Sequence, residues 1–97
     1  MATLHVVSHS PFTDSHFNSC LRVCGAHDAI LLCGDGAYAL QTASAPCQAL
    51  QAQGLKVFVL TEDSQARNLP VPTWAESVDY PAFVQLSIDY DKVNTWL

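Results

Sequence analysis

Ala29-Ile30-Leu31-Leu32-Cys33 is a run of five apolar residues with no polar position inside it, closed by Gly34-Asp35-Gly36. Continuous rather than alternating hydrophobicity is what a strand requires when helices cover both of its faces. The run therefore reads as the central strand of an α/β sheet, and Gly34-Asp35-Gly36 as the turn that ends it. On its N-terminal side, Phe17, Cys20, Leu21 and Cys24 share one face of a helix, because they recur at the spacing of 3 and 4 residues that the α-helical period demands. Asp14 is placed to cap this helix and Gly25 to stop it. Leu4-His5-Val6-Val7-Ser8, closed by Ser10-Pro11, reads as the first strand.

On the C-terminal side the same alternation continues. Ala37-Tyr38-Ala39-Leu40 begins a short helical segment. Ser44 as cap, Pro46 in the first turn and Gly54 at the far end frame the next helix. Lys56-Val57-Phe58-Val59-Leu60 is the third strand, followed by a helix capped by Thr61 that runs through Arg67 and ends at Asn68. Pro70 and Pro72 exclude helix from residues 69–73. Glu76-Ser77-Val78-Asp79 gives a fourth strand, and Pro81 opens a last helix that turns Phe83, Val84, Leu86 and Ile88 toward the core. Val93, Trp96 and Leu97 form an apolar tail. Strands and helices in alternation, joined by short connections, imply one small α/β domain over residues 1–97, a mainly parallel sheet with helices on both faces.

Composition limits what such a domain does. The 97 residues are 49% hydrophobic and only 13% charged, against about 25% charged in an average soluble chain. Disorder is excluded, and the scarcity of charge suits a subunit that hides apolar surface against partners. Four basic residues against nine acidic give a net charge of −5. The basic ones (Arg22, Lys56, Arg67, Lys92) are scattered, so direct nucleic-acid binding, which needs clustered positive charge, is not expected. The longest apolar run falls far short of the roughly 20 residues that span a bilayer. Met1-Ala2-Thr3-Leu4-His5 lacks the basic start of a secretory signal, so a cytoplasmic location with reduced thiols is expected.

Chemistry in a parallel sheet gathers beyond the C-terminal strand ends. Three segments reach that edge: Ser8-His9-Ser10-Pro11-Phe12, Gly34-Asp35-Gly36-Ala37-Tyr38 and Thr61-Glu62-Asp63. Ser8 and Ser10 read as turn residues and Asp35 as a turn or cap. No phosphate loop or nucleophile elbow is present, and no cofactor is implied. Cys20 and Cys24 have a knuckle-like spacing, yet Cys33 and Cys47 make no second knuckle and His5, His9, His16 and His27 make no paired-histidine motif, so no metal site is expected. A reactive cysteine needs a stabilised thiolate and solvent access. Cys20 reads as a small buried hydrophobe, Cys33 as core at the end of the central strand, and Cys47 as better placed near a helix start but without a partner.

Taken in order, Leu4-His5, Ser10-Pro11-Phe12, Ala29-Ile30-Leu31-Leu32, Asp35-Gly36-Ala37-Tyr38-Ala39, Val59-Leu60, Asp63, Ala66-Arg67, Val78-Asp79-Tyr80, Phe83-Val84, Leu86 and Trp96-Leu97 resemble the TusB/DsrH family of sulfur-relay proteins from end to end. The resemblance implies a DsrE/DsrF/DsrH-like fold and a cytoplasmic subunit that joins TusC-like and TusD-like chains in a dimer of heterotrimers. It implies persulfide sulfur arriving from TusA, held on a cysteine of the TusD-like chain and passed to TusE for 2-thiolation of the wobble uridine of tRNA, this chain serving assembly. In the related DsrEFH complex the same architecture serves sulfur oxidation. Cys20 coincides with a cysteine of the DsrH branch, within a similar Ser-Cys-Leu context, and is the one persulfide candidate. A free-standing small-ligand module built on the Ser8–Phe12 and Asp35-Gly36 loops is the reading from a different class.

Overall fold

The computed structural model describes residues 2–13 and 15–96, so Asp14, expected to cap the first helix, and Leu97 of the expected tail lie outside the described residues. Its sheet has five strands in the order β4-β3-β2-β1-β5: β1 (Thr3–Val7), β2 (Ala29–Leu32), β3 (Lys56–Leu60), β4 (Ala75–Val78) and β5 (Lys92–Trp96). Every pairing is parallel. The helices are α1 (His16–Val23), α2 (Ala45–Ala52), α3 (Thr61–Ala66) and α4 (Tyr80–Asp89), and Gly34–Leu40 forms a 3₁₀ segment. The run that opened the sequence reading is the central strand, with all four β2 residues buried.

Topology dictates which helix covers which face. From β1 to β4 the chain steps in one direction across the sheet, so right-handed crossovers keep the connecting helices on one face. The connection from β4 to β5 runs back past every other strand, and the same handedness sends α4 to the opposite face. Side-chain alternation agrees. Val7, Ile30, Leu32, Val57 and Val59 meet Phe17, Cys20 and Leu21 of α1 and Leu50 of α2 in one core cluster. Leu4, Val6, Leu31, Phe58 and Leu60 point the other way, to Ala82, Phe83, Leu86 and Tyr90.

Local chemistry sets the helix ends. Ser44 Oγ accepts the Cys47 amide at 3.2 Å and Asp79 Oδ1 accepts the Ala82 amide at 2.9 Å, each followed by a proline in the first turn, where the missing N–H costs nothing.

Four expectations need correction. Residues 92–96 are not a loose tail but the fifth strand, in register with β1 from Thr3 opposite Lys92 to Val7 opposite Trp96. Its start is pinned by Ala2, whose amide donates to Asp91 Oδ2 at 2.9 Å and whose carbonyl accepts the Asp91 amide at 3.1 Å. Thr61 is the first residue of α3 rather than its cap, Leu60 being the cap residue, and α3 ends at Ala66, one residue before the expected Arg67. Gly34-Asp35-Gly36 is the start of the 3₁₀ segment rather than a separate turn. Val84 and Ile88 of α4 face outward, 57% and 69% exposed, because Ala82, Phe83, Leu86 and Tyr90 already define the stripe on the sheet and residues two positions from it lie across the helix.

Candidate functional site

At the C-terminal strand ends, side chains bind one another. Asp63 at the start of α3 accepts the Gly34 amide at 2.8 Å. Arg67 donates to Asp35 Oδ1 from Nη2 at 2.9 Å and from Nε at 3.3 Å, to the Asp63 carbonyl at 3.2 Å, and lies over the Tyr38 ring, 5.7 Å from its centroid. Asp35, Tyr38, Asp63 and Arg67, which the family resemblance picks out separately, thus form one tie between the 3₁₀ segment and α3. The tie uses the charges that a ligand would need. In the first loop, Ser10 Oγ accepts the Phe12 amide at 3.2 Å, the turn role expected for it, and the His9 and His16 rings stack at 4.8 Å. Phe12 is half exposed and borders an open cleft of about 510 Å³ with Pro11, Asn18 and Pro46.

The four cysteines are free thiols in three separate environments. Cys33 is partly buried against the far-side core, and its thiol points at the Val7 carbonyl 3.8 Å away. Burial, with the Asp63 carboxylate adding to it, raises its pKa. Cys47 is buried at the start of α2 and borders a separate apolar cleft with Leu40, Val71 and Trp74. Cys20 and Cys24 lie one helical turn apart with their sulfurs at 3.9 Å. Cys20 is 1% exposed, and its contact with Cys24, burial and the Asp28 carboxylate all raise its pKa. Cys24, at the helix end and half-buried, has its pKa lowered by the hydrogen bond with Cys20, against the opposing effects of burial and Asp28. The expected buried place of Cys20 is the observed one.

Beneath these thiols lies an arrangement that sequence reading missed. His5 sits in β1, 3% exposed. Its Nε2 is 3.0 Å from Asp28 Oδ2, and its Nδ1 accepts the Trp96 indole N–H at 3.1 Å. A carboxylate on one nitrogen and an N–H donor on the other assign the Nε2–H tautomer. Asp28 also accepts the Thr3 amide at 3.0 Å and the Gly25 amide at 2.9 Å. Burial works against its charged form, yet the amides of Gly25 and Thr3, with His5, hold its carboxyl below the usual range. A ring nitrogen of His5 and the sulfurs of Cys20 and Cys24 all lie within 4.8 Å of one another. The signal for this was present: His5 alternates with Val7 on the strand face that α1 covers, and Cys20 and Cys24 belong to the apolar stripe of α1.

Five parallel strands with helices on both faces, Cys20 and Cys24 on the first helix and its end, and Asp35 and Asp63 both bound to Arg67 at the strand ends define a small α/β protein. Its fold is shared with the crystal structure of the ychN protein from E. coli, at TM-score 0.75 and 18% identity over 98% of this chain and 99% of that one. The solution structure of Tm0979 from Thermotoga maritima also matches, at TM-score 0.60 and 23% identity over 92% and 93%. Residues 9–93 match the family described as DsrH like protein. Proteins named TusB are similar along nearly their whole length: 35% identical in Erwinia tasmaniensis and 33% in Enterobacter sp., each over 96% of this chain and 99% of the relative. The chain belongs to the TusB/DsrH family of sulfur-relay proteins. Among its described residues no helix is long and apolar enough to cross a membrane.

Proposed function

We propose that this chain is the TusB-like subunit of a cytoplasmic sulfurtransferase complex, joining TusC-like and TusD-like chains in a dimer of heterotrimers. The complex relays persulfide sulfur from TusA to TusE for 2-thiolation of the wobble uridine of tRNA. The observation that carries this reading is the likeness to TusB proteins over 96% of the chain. Two features of the molecule support an assembly role. Tyr80, Val84 and Ile88 form an exposed apolar stripe at four-residue spacing on α4, and Val93 of β5, also exposed, lies on the same side of the sheet. Such a stripe is stable when a partner covers it. Cys20 is sealed beneath α1 with a raised pKa, which suits a structural thiol and opposes direct persulfide exchange.

Three experiments test this. Co-expression with TusC-like and TusD-like chains, followed by native mass spectrometry, is expected to give a heterohexamer. A double substitution Val84→Glu and Ile88→Glu is expected to weaken assembly while leaving the circular dichroism of the isolated chain unchanged. After loading with a persulfide donor, peptide mass spectrometry is expected to find the added sulfur on the TusD-like chain. A persistent monomer overturns the assembly role, and added sulfur on Cys20 favours the DsrH-like reading, with this chain as a carrier.

A further inference from the structure

We propose that His5, Cys20 and Cys24 form a binding site for a thiophilic divalent metal ion, Zn(II) foremost, with Asp28 as the carboxylate that orients the histidine. The three donor atoms lie within 4.8 Å of one another. They come from two elements, β1 and α1, held in register by the core on the first sheet face. The sulfurs are 3.9 Å apart. Two thiolates at Zn–S distances of about 2.3 Å in a tetrahedral shell stand about 3.8 Å apart, so the thiol pair already has the spacing of a chelate. The Cys-x₃-Cys interval lies within the range used by zinc knuckles, and the fold supplies a third donor that linear spacing hides.

The surroundings fit the same chemistry. Imidazoles that bind metal commonly give their other N–H to a carboxylate, and His5 Nε2 is already 3.0 Å from Asp28 Oδ2. The lone pair is then on Nδ1, now accepting from Trp96. Coordination exchanges that hydrogen bond for a metal bond, and the indole N–H of Trp96, on an edge strand and partly exposed, turns to water. Binding is not a redox step: two thiols lose two protons to solvent, and the two thiolates neutralise the charge of the ion. Cys24, half-buried at the helix end, gives the ion access and leaves a fourth position for water, the arrangement of a three-ligand zinc site. The softness of the donors excludes Mg(II) and Ca(II), hard cations that prefer oxygen.

The test uses the full chain, reduced, with its four free thiols confirmed by thiol titration. Cd(II) is expected to bind one ion per chain with thiolate-to-metal charge-transfer absorption in the ultraviolet, and Zn(II) to displace it. Cys24→Ser, at the half-buried position that the fold tolerates best, and Cys20→Ala are expected to weaken binding about 100-fold or more, beyond the 10–100-fold typical of lost outer-shell partners. Cys47→Ser is expected to leave it unchanged. In a Trp74→Phe background, Zn(II) is expected to change Trp96 emission as the indole loses its His5 acceptor. Failure of the reduced chain to bind Cd(II), or binding undiminished in Cys24→Ser, overturns the site. Binding that depends on both cysteines but leaves Trp96 emission unchanged overturns His5 as the third ligand. None of these outcomes depends on whether the chain joins a sulfurtransferase complex.

Discussion

Of the four glycines, Gly36 has the least room for a side chain. A methyl group added there would stand 2.2 Å from the Val7 carbonyl oxygen and 3.0 Å from its carbon, whereas non-bonded heavy atoms settle at about 3.5–4.0 Å. The obstacle is the backbone of β1, not a side chain that can rotate aside, so the 3₁₀ segment or the strand end must retreat by about 1 Å. That carbonyl also accepts the Cys33 amide at 3.0 Å, and its displacement weakens this bond. Overpacking costs about 1–3 kcal/mol and a weakened hydrogen bond about 1 kcal/mol, so Gly36→Ala is expected to lose about 2–4 kcal/mol. In a domain of this size each kcal/mol moves Tm by about 4–8 °C, which sets a fall of at least about 8 °C, read by thermal melting or urea titration. Two other glycines separate space from backbone conformation. Gly25→Ala meets nothing nearer than the Asp28 carboxylate at 3.7 Å and is expected to be near neutral. Gly54→Ala has open space but a φ of +67°, so only backbone strain of about 1 kcal/mol opposes it. A Gly36→Ala protein that melts within about 2 °C of Gly25→Ala would refute the reasoning.

The strand-end tie and the far-face thiol give two further expectations. Asp63→Ala is expected to cost about 1.5–3 kcal/mol, because its carboxylate holds the Gly34 amide at 2.8 Å in a part-buried, charge-assisted bond. Asp35→Ala is expected to cost under about 1 kcal/mol, because Asp35 is 61% exposed where it meets Arg67 and water screens the pair; urea denaturation of the two variants orders them, and equal losses would sink the distinction. Cys33, with its pKa raised first by burial and then by Asp63, holds less thiolate than free cysteine at any given pH. Its alkylation, followed by peptide mass spectrometry between about pH 7 and 11, is expected to stay slower than that of free cysteine and to keep rising where the free thiol has levelled off. Reaction at the rate of free cysteine would contradict the burial.

How much of this was legible in the sequence depended on whether one residue or several carried each signal. The continuous runs Ala29–Leu32 and Val57–Leu60 marked buried parallel strands because every residue in them is inward-facing on one side or the other. Ser44 with Pro46 marked a helix start because side-chain acceptor and missing N–H act in the same turn. β5 was not legible: only one residue of Lys92–Trp96 is even partly buried, and an edge strand is stabilised by its pairing with β1 rather than by its own hydrophobicity. Val84 and Ile88 were misassigned to the core because α4 carries apolar residues on both sides, which a periodicity reading alone cannot divide. Cys20 was placed correctly because the stripe with Phe17 and Leu21 fixes its direction. His5 was legible only in half, since a strand position tells which face it joins but not what lies across from it.

The two ends of the sheet have opposite characters, and the difference bears on function. In a parallel α/β domain the C-terminal strand ends are the usual place for ligands because uncommitted backbone amides and polar side chains converge there. Here Asp63 takes the Gly34 amide, Arg67 takes Asp35, and the loop after β1 closes on its own Ser10. A carboxylate already accepting from backbone and guanidinium already paired must give up those bonds before either binds substrate. The Cys20–Cys24 pair lies at the other end, on α1, with Asp28 and His5 tying the strand starts together from below. On the face the returning crossover created, α4 exposes the apolar stripe of Tyr80, Val84 and Ile88. Apolar surface of that kind is stable when a neighbouring chain covers it, which is why Val84→Glu with Ile88→Glu is the substitution that separates assembly from folding.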